Sequence, residues 1–549
     1  MHQETSKSPF NIKVLFPLLF ALVLVVGMLI GMRLNQASPA VIVEKSSLLP
    51  DQLMGQGRVD ELIRYIDAKY VDKVDRERLI EKAINSVLEE LDPHSNYIPA
   101  DHLQEVNENL EGNFDGIGVE FLVLDDTIMV VSTLAGGPSE AVGVMAGDKI
   151  VMIGDSIVAG EGIDTRNVIK MLRGERGSQV NIGILRGKEK ELRRFMITRD
   201  KIPVHSVDIA YMLDEKTGYI KLNRFSATTY EEFMKGLEKM VEEEGMKDLV
   251  IDLRHNPGGY LQQATNILSQ LFNEKGKLLV YTEGRTVNRN DYESSGRNFF
   301  DVGNVVVLID EGSASASEIM AGAIQDHDRG VIIGRRSFGK GLVQEQYKLR
   351  DGSALRLTVA RYYTPSGRSI QKPYDDLESY DNDFTDRMES GELSNGEKIH
   401  VLDSTEYFTS GGHVVYGGGG IIPDIFIPID TVLFQDQYIA LRQYIPQFVY
   451  RYMEDHQSDF EEYTLDRFRR QFTVTESIFK EFINFTGEKV NTYQLGNARG
   501  ELKRFIKARM GKHLFEDKGF YSIWHEDDSS VLKALELLRE PNPMAKVRE

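Results

Sequence analysis

Two apolar runs, residues 305–309 and 331–333, each break into a turn of small residues, and the two turns lie 25 residues apart. Runs this short and this apolar, bounded by glycine and serine, read as buried strands. The first leads into Gly312-Ser313-Ala314-Ser315-Ala316-Ser317-Glu318 and then a helix through Ile319, Met320 and Ala323; the second leads into Ser337-Phe338-Gly339-Lys340-Gly341. A helix N-terminus has unsatisfied N–H groups and partial positive charge, so an anionic tetrahedral intermediate is favoured there. Ser313, Ser315 and Ser317 can each offer a hydroxyl at that place, or each can serve as an ordinary cap or turn residue. Lys340 has no acid after it until Glu345. Held in a glycine-flanked turn of a compact core, such a lysine can be desolvated until it acts as a base. Gln344, four residues on, can orient the amine by a hydrogen bond without restoring its charge.

The surrounding chain reads as an α/β core from 201 to about 430. Tyr219-Ile220-Lys221-Leu222, an acidic helical stretch over 230–244, the run Leu249-Val250-Ile251-Asp252-Leu253 and a helix over 260–271 alternate as strands and helices. Between the last two lies Arg254-His255-Asn256-Pro257-Gly258-Gly259. A strand that ends in Asn-Pro-Gly-Gly exposes backbone N–H groups with no side chain in the way, so Gly258 or Gly259 with the N–H of Ala316 would make an oxyanion hole. Residues 374–411 are acidic and polar with few core candidates, and read as an insertion or surface excursion. From 431 to 549 the chain is helical again and rich in Phe, Arg and Glu, a C-terminal helical domain. Residues 41–102 read as a helical region: Leu79/Ile80, Ala83/Ile84, Val87/Leu88 and Leu91 recur at helical spacing, and Asp92-Pro93 ends the run. That region offers no chemistry; it leaves room for a homodimer.

Residues 103–200 have another texture, short strands and glycine turns: Gly116-Ile117-Gly118-Val119-Glu120-Phe121, the alternating Ile128-Met129-Val130-Val131, Gly147-Asp148-Lys149-Ile150 and a strand over 180–185. The order of these elements resembles a PDZ domain. The Gly-Ile-Gly loop, with Val119, would offer N–H groups to a carboxylate while the adjoining strand edge pairs with an extended peptide. A dinucleotide loop is the rival, but the third glycine and the βαβ setting are missing.

Composition and the N-terminus bear on location. Val14 to Met32 is 19 residues without a charge, preceded by Lys7 and Lys13. A run of that length can cross a bilayer as a helix, and the lysines put the short tail in the cytoplasm. Ala37-Ser38-Pro39-Ala40 makes a poor cleavage site because proline intrudes. Residues 1–40 read as tail and single-pass anchor in an inner membrane, with a cleaved signal peptide as the alternative; either puts the rest in a periplasm or equivalent extracytoplasmic space. The net charge of −20 argues against nucleic acid as a partner. With no cysteine, disulfides, thiolate metal sites and a cysteine nucleophile are excluded.

The segments 252–259, 313–319, Gly322-Ala323-Ile324-Gln325-Asp326, 337–344, Thr364-Pro365-Ser366-Gly367-Arg368-Ser369-Ile370-Gln371 and Leu91-Asp92-Pro93-His94-Ser95 resemble those of the carboxy-terminal processing (tail-specific) proteases. A PDZ domain ahead of the core fits the same family. The resemblance implies a crotonase-like βαβ spiral with added strands, Ser315 as nucleophile, Lys340 as general base, Gln344 as the residue orienting it, and an oxyanion hole from Gly258, Gly259 and Ala316. It needs no cofactor and no metal. It implies protein or peptide substrates recognised by their C-termini, and Arg173 falls where an arginine linked to that sensing occurs. Rival chemistries are weaker. His255 and His327 lie near these motifs, but His327 would sit about three turns down the helix from Ser315 and no Gly-x-Ser-x-Gly elbow exists. His525-Glu526-Asp527-Asp528 reads as an exposed polar turn rather than a metal site. Two whole-protein rivals remain: an anchored PDZ scaffold without activity, and an acyl-CoA enzyme of crotonase type.

Overall fold

The computed structural model describes residues 57–548 apart from 125, 161, 188, 190 and 489–494. The expected apolar anchor at 14–32 lies outside them; among the described residues no helix is long and apolar enough to cross a membrane. The chain divides into two units, residues 1–84 and 85–549. In the first, the described part is helical, with Arg58–Lys69 and the start of Arg76–Glu89.

The second unit is built on a six-stranded sheet ordered Val207–Met212, Thr217–Leu222, Asp248–Asp252, Val305–Ile309, Gly330–Gly334, Ile425–Phe426. The first pair is antiparallel and every later pair parallel. All five residues of both Val305–Ile309 and Gly330–Gly334 are buried, which is why they read as unbroken apolar runs: a parallel strand is covered on both faces. One face carries Leu249, Ile251, Val305, Val307, Ile309 and Ile332 into a core with the helices Thr229–Glu238, Leu261–Leu271 and Ala316–Asp326. The other turns Val250, Val306, Leu308, Val331 and Ile333 toward Val531, Ala534, Leu537 and Leu538 of the helix Ser529–Leu538. The last helices of the chain thus complete the α/β sandwich. They also bury His525, whose Nδ1 meets the Tyr211 hydroxyl at 2.7 Å, while Glu526 and Asp527 of the same turn are exposed, as expected of a polar turn.

A second, antiparallel sheet holds Asn96–Ile98, Leu342–Lys348, Ala354–Tyr363, Lys275–Glu283 and Asn290–Ser295. Asn96–Ile98 pairs with residues 354–356, so the region expected to be helical to 102 contains an edge strand of this sheet. Local pattern does not report a pairing partner some 260 residues away, and that is why it was missed. The segment 374–411 also departs from expectation. It packs inward through Tyr380, Arg387, Glu392 and Leu393, all buried. Arg336 and Arg387 both pair with the Glu392 carboxylate, at 2.8 and 2.9 Å, and this buried ion network replaces the apolar residues by which a core segment is usually recognised.

The PDZ module forms a separate sheet, Val119–Leu124, Thr127–Thr133, Asp148–Ile153, Gln179–Arg186 and Arg193–Thr198, over its own core with the helix Thr165–Leu172. The C-terminal helices from Asp436–Arg442 to Ala498–Trp524 pack around Phe448, Phe468, Phe479 and Phe482.

Candidate active site

Strands Asp248–Asp252, Val305–Ile309 and Gly330–Gly334 are neighbours in the parallel sheet, and each of the three suspect turns follows the C-terminal end of one of them. Parallel strands leave their carboxyl ends side by side, where ligands bind in open α/β sheets. The turns are stitched together: Phe338 N–H donates to Ser313 O at 3.0 Å, and Ala314 N–H to Asn256 O at 3.0 Å.

Ser315 is the N-cap of the helix Ala316–Asp326, with φ 55° and ψ −113°. A left-handed φ at a residue other than glycine costs on the order of 1–3 kcal/mol and is tolerated where the surroundings impose it. Here Gly258 packs so close that a Cβ on it would lie 2.8 Å from Ser315 Cβ. Ser313 and Ser317 are buried and committed: Ser313 Oγ donates to Leu253 O at 2.8 Å and Ser317 Oγ to Asn256 O at 2.9 Å. Among the described residues the Ser315 side chain makes no such bond to another turn; with Glu318 it forms the capping box of its own helix.

Glu318 joins Ser315 to Lys340. Its Oε2 accepts the backbone N–H of both residues at 2.8 Å, so the two nitrogens lie within two hydrogen-bond lengths of one another. Oε1 accepts Gly339 N–H at 2.7 Å and Ser337 Oγ–H at 2.5 Å. On the opposite side, the Tyr362 hydroxyl reaches the carbonyl oxygens of Ser315, at 3.1 Å, and of Lys340. Carboxylate and phenol together fix the spacing of the two turns. Complete burial pushes the Glu318 carboxyl up to about 7, against the pull of its four donors. Sequence reasoning gave Glu318 and Tyr362 no role. The spacing Ser-x-x-Glu at a helix start was the readable signal for Glu318, since it is the pattern of a capping box.

Burial, then the charge of Arg356, pulls the Lys340 amine below its ordinary value, opposed by Glu318 and Asp92. His94 lies beside it. Its Nε2 meets the Tyr380 hydroxyl at 2.7 Å, and burial with the Lys340 charge lowers it to about 4, which keeps the imidazole neutral. Asp92 anchors this corner by accepting from His94 N–H, Ser95 N–H, Ser95 Oγ and Thr358 Oγ1 at 2.7–3.0 Å. No hydrogen bond joins Ser315 Oγ to Lys340 Nζ among the described residues; unliganded sites often hold their catalytic pairs longer than the complex does.

The other expected site residues fall as follows. Gln344 does not reach Lys340: it lies opposite Thr358 in the strand register and its Nε2 donates to Thr358 Oγ1 at 3.4 Å. Cross-strand neighbours meet, whatever the sequence spacing to the lysine. Gly258 is also corrected as an oxyanion donor, because its N–H is held by Asn256 Oδ1 at 2.8 Å. The N–H groups of Gly259 and Ala316 have no protein acceptor among the described residues. Gly259 sits at φ 144°, where a Cβ would overlap the Phe225 carbonyl. His255 pairs with Asp310 at 2.9 Å, and His327 lies at the far end of the helix that Ser315 opens, facing Leu278 O. In the PDZ module the N–H groups of Ile117 and Gly118 likewise meet no acceptor; Gly116 ends the strand Asn113–Gly116 and Val119 begins Val119–Leu124. Arg173 bonds Glu108 at 3.1 Å and stacks over the Phe114 ring, on the segment that enters the module.

Known families and proteins match this chain over the core and the PDZ module. The family described as Peptidase family S41 matches residues 216–377, a PDZ domain family matches 116–194, and a family of unknown function matches 437–516. The carboxy-terminal-processing protease of Bartonella bacilliformis is 38% identical over 321 residues, 57% of this chain and 72% of that protein. The carboxy-terminal processing protease CtpB of Bacillus subtilis is 35% identical over 320 residues, covering 57% and 65%. Among solved structures, the photosystem II D1 C-terminal processing protease is 26% identical over 69% of this chain and 94% of its own, with a TM-score of 0.35. The PDZ domain of a Vibrio cholerae carboxy-terminal protease in complex with peptide is 30% identical over 17% of this chain and 99% of its own, with a TM-score of 0.16.

Proposed function

The chain belongs to the carboxy-terminal processing proteases, serine-type peptidases of family S41 that carry a PDZ domain, and from that premise we propose how it works. Ser315 is the nucleophile and Lys340 its base. The neutral Lys340 amine takes the Ser315 hydroxyl proton as Oγ attacks the scissile carbonyl, and the N–H groups of Gly259 and Ala316 receive the oxyanion. Lys340 then returns the proton to the leaving amine, and water hydrolyses the acyl-enzyme by the same relay. Gln344 supports Lys340 through Thr358 and Asp92 rather than by direct contact. The observation that carries this reading is the convergence of the Ser315 and Lys340 amides on one carboxylate oxygen.

The PDZ module takes the substrate C-terminus, with the carboxylate on the Ile117 and Gly118 N–H groups and the chain along Val119–Leu124; cleavage falls near that end. Residues 14–32 anchor the protein in the inner membrane with the site outside the cytoplasm, and the N-terminal helices leave room for a homodimer. The test is a pair of variants, Ser315→Ala and Lys340→Ala, assayed on an unstructured substrate with an apolar C-terminus. Both should lose cleavage, and undiminished cleavage by either overturns the mechanism. A fluorophosphonate that labels Ser315 separates this reading from an inactive scaffold and from acyl-CoA chemistry.

A further inference from the structure

The C-terminal helices reach the PDZ module at the strand that would receive a peptide. Val119–Leu124 is the outer strand of its sheet, paired on one side with Thr127–Thr133. Val130, opposite Phe121, gives its carbonyl to Gly147 and so faces away from this strand. Antiparallel strands alternate between paired and outward-facing backbone, so Phe121 and Val123 present their N–H and C=O groups to the open edge. At Val123 that edge is already taken: Gln447 Nε2 donates to Val123 O at 2.8 Å.

Gln447 belongs to the helix Ile445–Asp455, and the contact around it is built. Tyr450 of the same helix is buried with Leu124 and Met129, and Leu122 and Phe485 pack against them. The side chains of Leu122 and Leu124 seat the helix on one face of the sheet, while Gln447 turns around its rim. A tail whose carboxylate sits on the Ile117–Gly118 loop runs antiparallel to 119–124. Its last residues lie beside Val119–Phe121, and the residue about four from its end arrives at Val123. There the acceptor it needs is occupied.

We propose that Gln447 is a specificity-determining residue that limits the strand-paired length of a bound tail to the stretch alongside residues 119–121. Pairing of a longer tail requires Gln447 to leave Val123. This rests on the PDZ reading above and adds a role for the helical region that follows the core. Substrates are thereby selected on their last few residues, and the sequence further upstream is left free of the module.

The test uses the full chain with Ser315→Ala, so that bound peptides stay intact, and labelled peptides of four and eight residues sharing one apolar C-terminus, with amidated controls. With Gln447 present, the longer peptide should bind within about twofold of the shorter. With Gln447→Ala, and equally with Gln447→Met, which keeps the length of the side chain, the longer peptide should gain about fivefold, the worth of one net hydrogen bond. If carboxylate-dependent binding shows the same length dependence with and without Gln447, the inference is wrong and the PDZ reading stands. If no peptide binds, or amidation does not weaken binding, the PDZ reading fails and takes the inference with it.

Discussion

Replacing Glu318 by glutamine tests whether one buried carboxylate holds the Ser315 and Lys340 turns together. The carboxylate accepts four donors on two oxygens. A glutamine has one acceptor oxygen. In its cheaper orientation it keeps that oxygen toward Ser315 and Lys340 and turns its NH2 toward Ser337, whose hydroxyl can reverse. The Gly339 N–H is then stranded, and a buried unsatisfied donor costs about 1–3 kcal/mol. If that strain falls on the Lys340 turn, kcat drops by about 10- to 100-fold while KM changes little. Stability supplies a second readout. A carboxyl raised from 4.5 to about 7 on folding binds more protons in the native state, so the wild type loses about 3 kcal/mol as pH climbs through that interval. The glutamine variant lacks this slope. Activity runs the other way, because only the ionised carboxylate can accept all four donors, so wild-type kcat rises through pH 7. Urea unfolding at pH 5 and pH 8, beside kcat over the same range, measures both effects. A variant with wild-type kcat at pH 8, or with the wild-type pH slope of stability, would refute the argument.

Three further outcomes follow from the geometry. As the proposed base Lys340 must be neutral, and the charge of Arg356 favours its neutral form; Arg356→Gln should therefore move the acid limb of kcat/KM to higher pH with the plateau preserved, and an unmoved limb would count against Lys340 as base. Gly259→Ala forces a Cβ into the Phe225 carbonyl at φ 144° and displaces the proposed oxyanion donor, so activity should fall about a hundredfold, read as kcat on a short peptide. Arg254 pairs with buried Asp252 at 2.5 Å and with Asp528 at 2.9 Å, so Arg254→Met should destabilise the chain by about 3 kcal/mol in urea, with partial rescue by adding Asp252→Asn.

Much of the site is local and was legible as such. An apolar run that soon breaks into glycine, serine or proline reads as a buried strand feeding a tight turn, and each of the three turns of the site follows such a run within a few residues. Reading them as one site rested on the family resemblance, because nothing local says that the strands before Gly258, Ser315 and Lys340 are neighbours. The PDZ module was legible in the same way, from the order of its glycine turns. What failed was long-range and polar. Asn96–Ile98 lies past the Asp92-Pro93 break and is too short to show a strand pattern until Ala354 is beside it. Residues 374–411 look like solvent-facing chain because Glu392 and Arg387 are charged, and only the facing Arg336 makes them a buried cluster. Gln344 looks aimed at Lys340 by count, yet strand register gives it to Thr358.

The sequence by itself determined which turns hold the serine and the lysine, since strand, turn and helix are set by neighbouring residues. The choice of Ser315 over Ser313 and Ser317 has a tertiary reason: the other two hydroxyls are spent on Leu253 and Asn256. Tertiary structure alone decided that Glu318 and Tyr362 clamp the two turns, that Asn256 holds the Gly258 N–H and so removes it from the candidate oxyanion donors, and that the last helices cover the second face of the sheet. Hydrogen bonds and packing between segments depend on where the folded chain brings them, and residue order alone does not carry that information.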